Sequence, residues 1–192
     1  MVHKYASNLS HEELNQLPID HFEGAIYEIH SRAEADIAVK HLRAFSTVGI
    51  DTETQPSFSS NVRHPISLLQ VATDDECYIF HLLKINFPLC LQDFFCDGSV
   101  CKVGLAFHDD IRGLQRYRFF KPKGCVDLQD IAPLYGIEAK GLSILYAICY
   151  GKRISKKMRL SNWANENLSN SQRLYAATDA WATLRIYNHL MS

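Results

Sequence analysis

The chain lacks most of the marks of a specialised class. Its six cysteines, Cys77, Cys90, Cys96, Cys101, Cys125 and Cys149, include no CxxC pair, which leaves a cysteine-based metal finger with little support. Cys77, His81 and Cys101 likewise have no recognised zinc-ligand spacing. No apolar run is long enough to span a bilayer, because charges and histidines interrupt each one, as in CYIFHLLKINF. The opening MVHKYASNLSHEEL has no basic segment followed by an apolar one, so we expect reduced thiols, a cytoplasmic location and no membrane partner. An excess of one charge is also missing. A formal net charge of -1 argues against coating nucleic acid through a broad basic surface. Internal repeats and low-complexity tracts are absent.

What is present is an ordinary globular composition, 47% hydrophobic and 21% charged over 192 residues, which predicts one domain with a substantial core. We place a polar N-terminal extension at residues 1–22 and the folded domain at 23–192. A polyanion would have to meet a local patch. The two candidates are RGLQRYRFFKPK (Arg112, Arg116, Arg118, Lys121, Lys123) and GKRISKKMRLSNW (Lys152, Arg153, Lys156, Lys157, Arg159), each of which by itself is more often a solvated face.

Periodicity and punctuation predict the elements. SHEELNQLP reads as a short capped helix ended by Pro18, and GAIYEIH as a half-buried strand. Ser31 caps a helix on which Ala33, Ile37, Val39, Leu42 and Phe45 follow helical spacing. TVGIDTET is a strand, and PISLLQVAT, DDE and CYIFHLL form an antiparallel hairpin. Then come a helix at LCLQDFF, a strand at CKVGLAF and a helix from His108 through DDIRGLQRYRFF. Helices at DLQDIAPLYG and LSILYAICYG stop at Gly136 and Gly151, and a last helix runs from Ser171 to about Leu190. This order predicts an α/β fold, a central mixed sheet flanked by helices. The one long irregular early stretch, TQPSFSSNVRH, has the length of a functional loop.

Several carboxylates stand where they need an explanation. Asp51 and Glu53, two residues apart at a strand end, point the same way and repel, unless the strand has already opened into a solvated loop. Asp179 lies one turn after Tyr175 on a helix face continued by Ala182, Ile186 and Leu190, so it should be packed rather than wet. An uncompensated buried carboxylate costs roughly several kcal/mol, so Asp179 needs a partner, either a buried Arg or Lys or a shared divalent metal. Asp109 and Asp110 open a helix, where aspartate commonly only caps amides. Asp127 and Asp130 flank another helix start and are explained by capping. Four converging acids would raise one another's pKa steeply; two divalent cations would cancel that charge. Oxygen-only ligands suit Mg2+ or Mn2+, which points to phosphodiester hydrolysis.

The segments DTET, VGLAFHDDIRGL and LYAATDA resemble the three motifs of the DEDD superfamily of 3'-5' exonucleases. They match the subgroup with a Tyr-x-x-x-Asp third motif, which includes ribonuclease D and the Werner-type enzymes. The likeness runs from the AIYEIH strand to the end, and RLSNWA falls where such enzymes have a similar segment. The resemblance implies a ribonuclease H-like fold in which antiparallel strands carry parallel additions. It makes Asp51, Glu53, Asp110 and Asp179 metal ligands for two Mg2+ or Mn2+ ions, and Tyr175 the residue that holds the attacking water. Asp110 is preferred to Asp109 on motif position. Thr54 matches a position whose backbone meets the 3' hydroxyl. Phe107 could wedge against terminal bases, or be core. Arg159, Ser161, Asn162 and Trp163 could shape the rim of the site, or pack and cap before the last helix. The expected partner is a single-stranded or 3'-ended DNA or RNA, cut to nucleoside 5'-monophosphates. No appended helical nucleic-acid-binding segment is seen, which with the near-neutral charge suggests modest affinity or a short substrate. Alternatives from other classes are a silent nucleic-acid-binding module of the same fold and a hydrolase of small phosphate esters.

Overall fold

The structure, a computed structural model, describes residues 5–57 and 64–192, so most of the irregular stretch at 54–64 lies outside the described residues. The chain begins with α1 (His11–Gln16), whose Ser10 and Glu13 form a reciprocal capping box. It continues through β1 (Ile19–Asp20), β2 (Ala25–Ile29) and α2 (Arg32–Leu42) to β3 (Thr47–Thr54). The hairpin is β4 (Ile66–Ala72) and β5 (Glu76–His81), followed by the short α3 (Leu82–Ile85) and α4 (Leu89–Cys96). β6 (Cys101–Gly104) leads into α5 (Phe107–Gln115), and β7 (Cys125–Asp127) into α6 (Leu128–Ile131). A 3-10 turn (Ala132–Tyr135), α7 (Leu142–Tyr150), β8 (Arg153–Ile154) and α8 (Asn170–Met191) complete the chain.

Six strands form one mixed sheet in the order β2-β5-β4-β3-β6-β7. The pairs β3–β4 and β4–β5 are antiparallel; β2–β5, β3–β6 and β6–β7 are parallel. This is a ribonuclease H-like arrangement with helices on both faces. Alternation along the strands feeds two cores. Leu68, Ala72, Cys77 and Ile79 pack with α7 and α8 on one face, while Leu69, Val71, Tyr78 and Phe80 pack with α2, α4 and α5 on the other. The central strand β4 is buried along its whole length.

The N-terminal stretch is tied to the domain at its end. β1 pairs with β8, Phe22 is 2% exposed against Trp181, and its N–H donates to Thr178 Oγ1 at 3.1 Å.

Several expected details differ. Ile37 is 72% exposed, because the buried stripe of α2 runs through Ala35, Ala38, Val39 and Leu42. The last helix is capped by Ser169 rather than Ser171, since Gln172 at its third position returns the hydrogen bond. DLQDIAPLYG is not one helix. Pro133 lacks the N–H to continue α6, which gives way to the 3-10 turn. β6 stops at Gly104, and Ala106, left-handed at φ 53°, turns the chain into α5. β7 was not anticipated, because three residues carry no readable alternation. Gly136 and Gly151 do end their helices in the left-handed conformation. No helix among the described residues is long and apolar enough to cross a membrane.

Candidate active site

Asp51 and Glu53 project from the end of β3 toward the face covered by α8. The helix comes close because its contact residues are small, Ala176 and Ala180, and because Gly49 on β3 has no side chain. A Cβ there would run into the carbonyl oxygen of Ala180. Thr183 adds a tie, its hydroxyl 3.0 Å from the carbonyl oxygen of Val103 on β6. The approach sets Asp179, 9% exposed, over β3. Carboxylate oxygens of Asp51, Glu53 and Asp179 lie within 4.8 Å of one another.

Asp110 arrives from the other face of the sheet, on α5. Its carboxylate accepts a hydrogen bond from the Thr52 hydroxyl at 2.5 Å, beside the other three acids rather than among them. The start of α5 is anchored by Asp127, which accepts from the backbone N–H of Ala106 (3.0 Å) and Phe107 (2.7 Å) as well as capping α6. Asp109 points away: its side chain is 82% exposed and pairs with Arg112 at 3.3 Å.

The group is electrostatically frustrated. Burial, then the charges of Asp179, Glu53 and Asp110, push Asp51 well above the usual carboxylate range. Burial and the neighbouring acids raise Glu53 to about 9. Asp110 rises to about 7 through burial, partly offset by the Thr52 hydroxyl. Asp179 rises to about 7 by burial, against the lowering effects of Tyr175 and Lys156. No Lys or Arg forms a salt bridge with Asp179 among the described residues. An all-oxygen donor set that resists ionisation by itself is what hard divalent cations would relieve.

Tyr175, 9% exposed, stands one turn before Asp179 and lines the same cleft. Burial and the nearby carboxylates raise its pKa, so the phenol stays neutral. Trp163 backs it, the two rings 5.8 Å apart.

A cleft of about 590 Å³ opens over Asp51, Tyr175 and Asp179, with Lys156, Lys157 and Arg159 on its wall. A neighbouring cavity of about 370 Å³ joins Thr54 and Asp110 to Arg112 and Arg116. Both basic segments of the sequence therefore flank the acids.

Arg159 and Thr54 are placed at these openings, but three expected contacts are not. Phe107 is 2% exposed, in the aromatic core with Phe95 and beneath Gly104, so it is not available to stack on a base. Trp163 is 1% exposed behind Tyr175, and its surface is spent on that ring. Asn162 uses both ends of its amide within its own loop, on Asn165 (2.9 Å) and the N–H of Ala164 (3.1 Å). Residues not foreseen individually are Thr52, which holds Asp110, and Leu160, 65% exposed at the cleft. Both lie inside the segments DTET and RLSNWA, but nothing in the sequence singles either out.

A mixed α/β sheet with acids gathered at the end of β3 is the arrangement of the ribonuclease H-like class. The chain belongs to the 3'-5' exonuclease family, whose model matches residues 26–192. It is 32% identical over 187 residues to the bifunctional 3'-5' exonuclease/ATP-dependent helicase WRN of Mus musculus, covering 92% of this chain and 13% of that protein. It is also 32% identical over 149 residues to a 3'-5' exonuclease of Arabidopsis thaliana, covering 74% of this chain and 52% of the relative. The chain thus spans 13% of the first relative's length and about half of the second's. Among solved structures, the Nibbler EXO domain of Aedes aegypti superposes with a TM-score of 0.78 at 25% identity, covering 91% of this chain and 89% of that one.

Proposed function

We propose that this chain removes nucleoside 5'-monophosphates stepwise from the 3' end of DNA or RNA, and that Asp51, Glu53, Asp110 and Asp179 hold two Mg2+ or Mn2+ ions. When bound, these ions supply a lowered pKa for water and stabilise charge on the attacking and leaving oxygens. The observation that carries the proposal is the convergence of Asp51, Glu53 and Asp179, with Tyr175 beside them, at a cleft walled by cations.

The rest follows from the chain's own groups. Lys156, Lys157 and Arg159 neutralise backbone phosphates and lead the strand into the cleft. Leu160 offers an apolar surface to the terminal nucleoside, and the backbone of Thr54 faces its 3' hydroxyl. Tyr175 stays protonated and orients a water by hydrogen bonding; it does not act as a base. The water oxygen bonds to the terminal phosphorus as the P–O3' bond breaks. The water gives up one proton to solvent, the shortened strand takes one from solvent at its new 3' hydroxyl, and the nucleoside 5'-monophosphate leaves. A soluble cytoplasmic setting belongs to the same proposal.

A time course with 5'-labelled single-stranded DNA, single-stranded RNA and a recessed duplex, each with Mg2+ or Mn2+, tests this beside Asp51→Ala. A ladder shortening from the 3' end and stopped by a blocked terminus is expected. Cleavage of simple esters with oligomers untouched, or no cleavage of anything, would overturn it.

A further inference from the structure

Among the described residues a second set of metal-type donors converges away from the cleft: Glu28, His30 and His81 each present a ligand atom within 4.8 Å of the others. The sheet brings them together. β2 and β5 run parallel with Glu28 opposite Ile79 and Ile29 opposite Phe80, which sets His30, just past the end of β2, level with His81, the last residue of β5. Alternation puts Glu28 and His30 on one side, where the two imidazoles lie 4.1 Å apart. Both rings turn Nε2 toward the same carboxylate oxygen: Glu28 Oε2 is 2.9 Å from His81 Nε2 and 3.9 Å from His30 Nε2.

These spacings bracket those of a tetrahedral ion. With ligands at about 2.0–2.1 Å, its donor atoms stand about 3.3 Å apart. The other oxygen, Glu28 Oε1, is held by Arg173 of α8 at 3.2 Å, which orients the carboxylate and leaves Oε2 to the imidazoles. The His81 side chain is 4% exposed, so its ring is fixed by packing against the sheet. An ion-pair group pinning α8 to the sheet would account for Arg173, Glu28 and His81. It does not account for the second imidazole stacked with its Nε2 on the same side.

We propose that Glu28, His30 and His81 form a metal site for a borderline divalent ion of the Zn2+ class, joining β2 to β5 and, through Arg173, to α8. Two nitrogens and one oxygen favour such an ion, whereas the oxygen-only cluster favours Mg2+ or Mn2+, so the two sites sort metals by ligand chemistry. They are neighbours. His81, Leu68 and Glu53 are level across β5, β4 and β3, which separates the sites by two strand spacings, about 10 Å. Three protein ligands leave a position for water, and the expected role is to stiffen the edge of the sheet beside the cleft.

The test uses the full metal-free chain, with saturating Mg2+ present to occupy the oxygen cluster, and Co2+ as the visible probe. Wild type is expected to develop the intense ligand-field absorption of a low-coordinate nitrogen-containing site, saturating at one equivalent, reversed by Zn2+, and to melt higher with Zn2+. His30→Ala, at a half-exposed position that tolerates truncation, should lose the band or require at least ten times more Co2+, and should lose the Zn2+ shift in Tm. Identical spectra and identical Zn2+ shifts in the two proteins would overturn the site, as would the absence of the band in wild type. Mg2+-supported cleavage by His30→Ala is read separately, so failure here leaves the exonuclease proposal standing.

Discussion

Gly49 on β3 lies directly under the carbonyl oxygen of Ala180 on α8, with no room for a methyl group between them. This contact sets the height of α8 above the sheet; Asp179 directly precedes Ala180 on the helix, and Asp51 is the next residue after Gly49 on the same face of β3. Gly49→Ala must push backbone against backbone, an overpacking cost of about 1–3 kcal/mol or more. For a chain of this size that is roughly 2–12 °C in Tm. We expect that loss in a thermal melt together with a fall in turnover, as Asp179 moves off Asp51. Gly141→Ala is the control, since a Cβ there meets nothing within 4 Å.

The two adjacent aspartates at the start of α5 should separate cleanly. Asp110 is tied to Thr52 beside the cluster, while Asp109 is on the solvent side with Arg112. Asp110→Asn keeps the hydrogen bond to Thr52 and the helix start but removes the charge, so turnover should vanish without a loss of stability in the melt. Asp109→Asn should keep most of the activity. The opposite pattern in a labelled-oligonucleotide assay would reverse the assignment.

Tyr175→Phe removes one hydroxyl and leaves the ring against Trp163. The rate should fall on the order of 10² or more, by analogy with other lost proton-handling groups, while divalent-ion affinity measured by calorimetry persists. A parallel loss of ion binding would mean that the phenol serves the carboxylates rather than the water.

Stability should depend on pH in a metal-sensitive way. Asp110 and Asp179 are raised to about 7 and Glu53 to about 9, against roughly 4 in the unfolded chain. Between those values the folded state holds more protons at these groups, so without divalent ions the stability they contribute is largest near pH 4 and falls as pH rises from about 4 to 9. Mg2+ or Mn2+ binds the ionised folded form and should flatten the fall. Melts of Asp179→Asn without metal should show a shallower pH dependence than wild type.

Replacing Lys156, Lys157 and Arg159 together by Ala should weaken binding of single-stranded oligomers without altering their sequence preference. Each lost phosphate contact contributes about 0.7 to the slope of log affinity against log salt, so the slope should drop by about 2. An unchanged slope would place the substrate path elsewhere, toward Arg112 and Arg116.

Much of the fold was legible because its signals are local. Capping boxes at Ser10 and Ser31, left-handed glycines at 136 and 151, and the alternating hairpin are written within a few residues. The missed strand Cys125–Asp127 takes its identity from pairing with β6, which no window of three residues can report. Ile37 followed helical spacing, yet α2 is rotated so that its alanines face the core.

The sequence by itself determined which groups we propose for the chemistry: acids placed two apart on a strand, at a helix start, and on a helix face whose neighbours are apolar, a combination that calls for charge compensation. Only the tertiary structure decided how they stand. It put Phe107 and Trp163 inside, tied Asp110 to Thr52 from the opposite face of the sheet, and set His30 beside His81 from strands distant in the chain. The reason is physical. Hydrogen-bonding capacity and charge belong to each residue, whereas burial and proximity arise from the closest approach that backbones such as those of Gly49 and Ala180 allow.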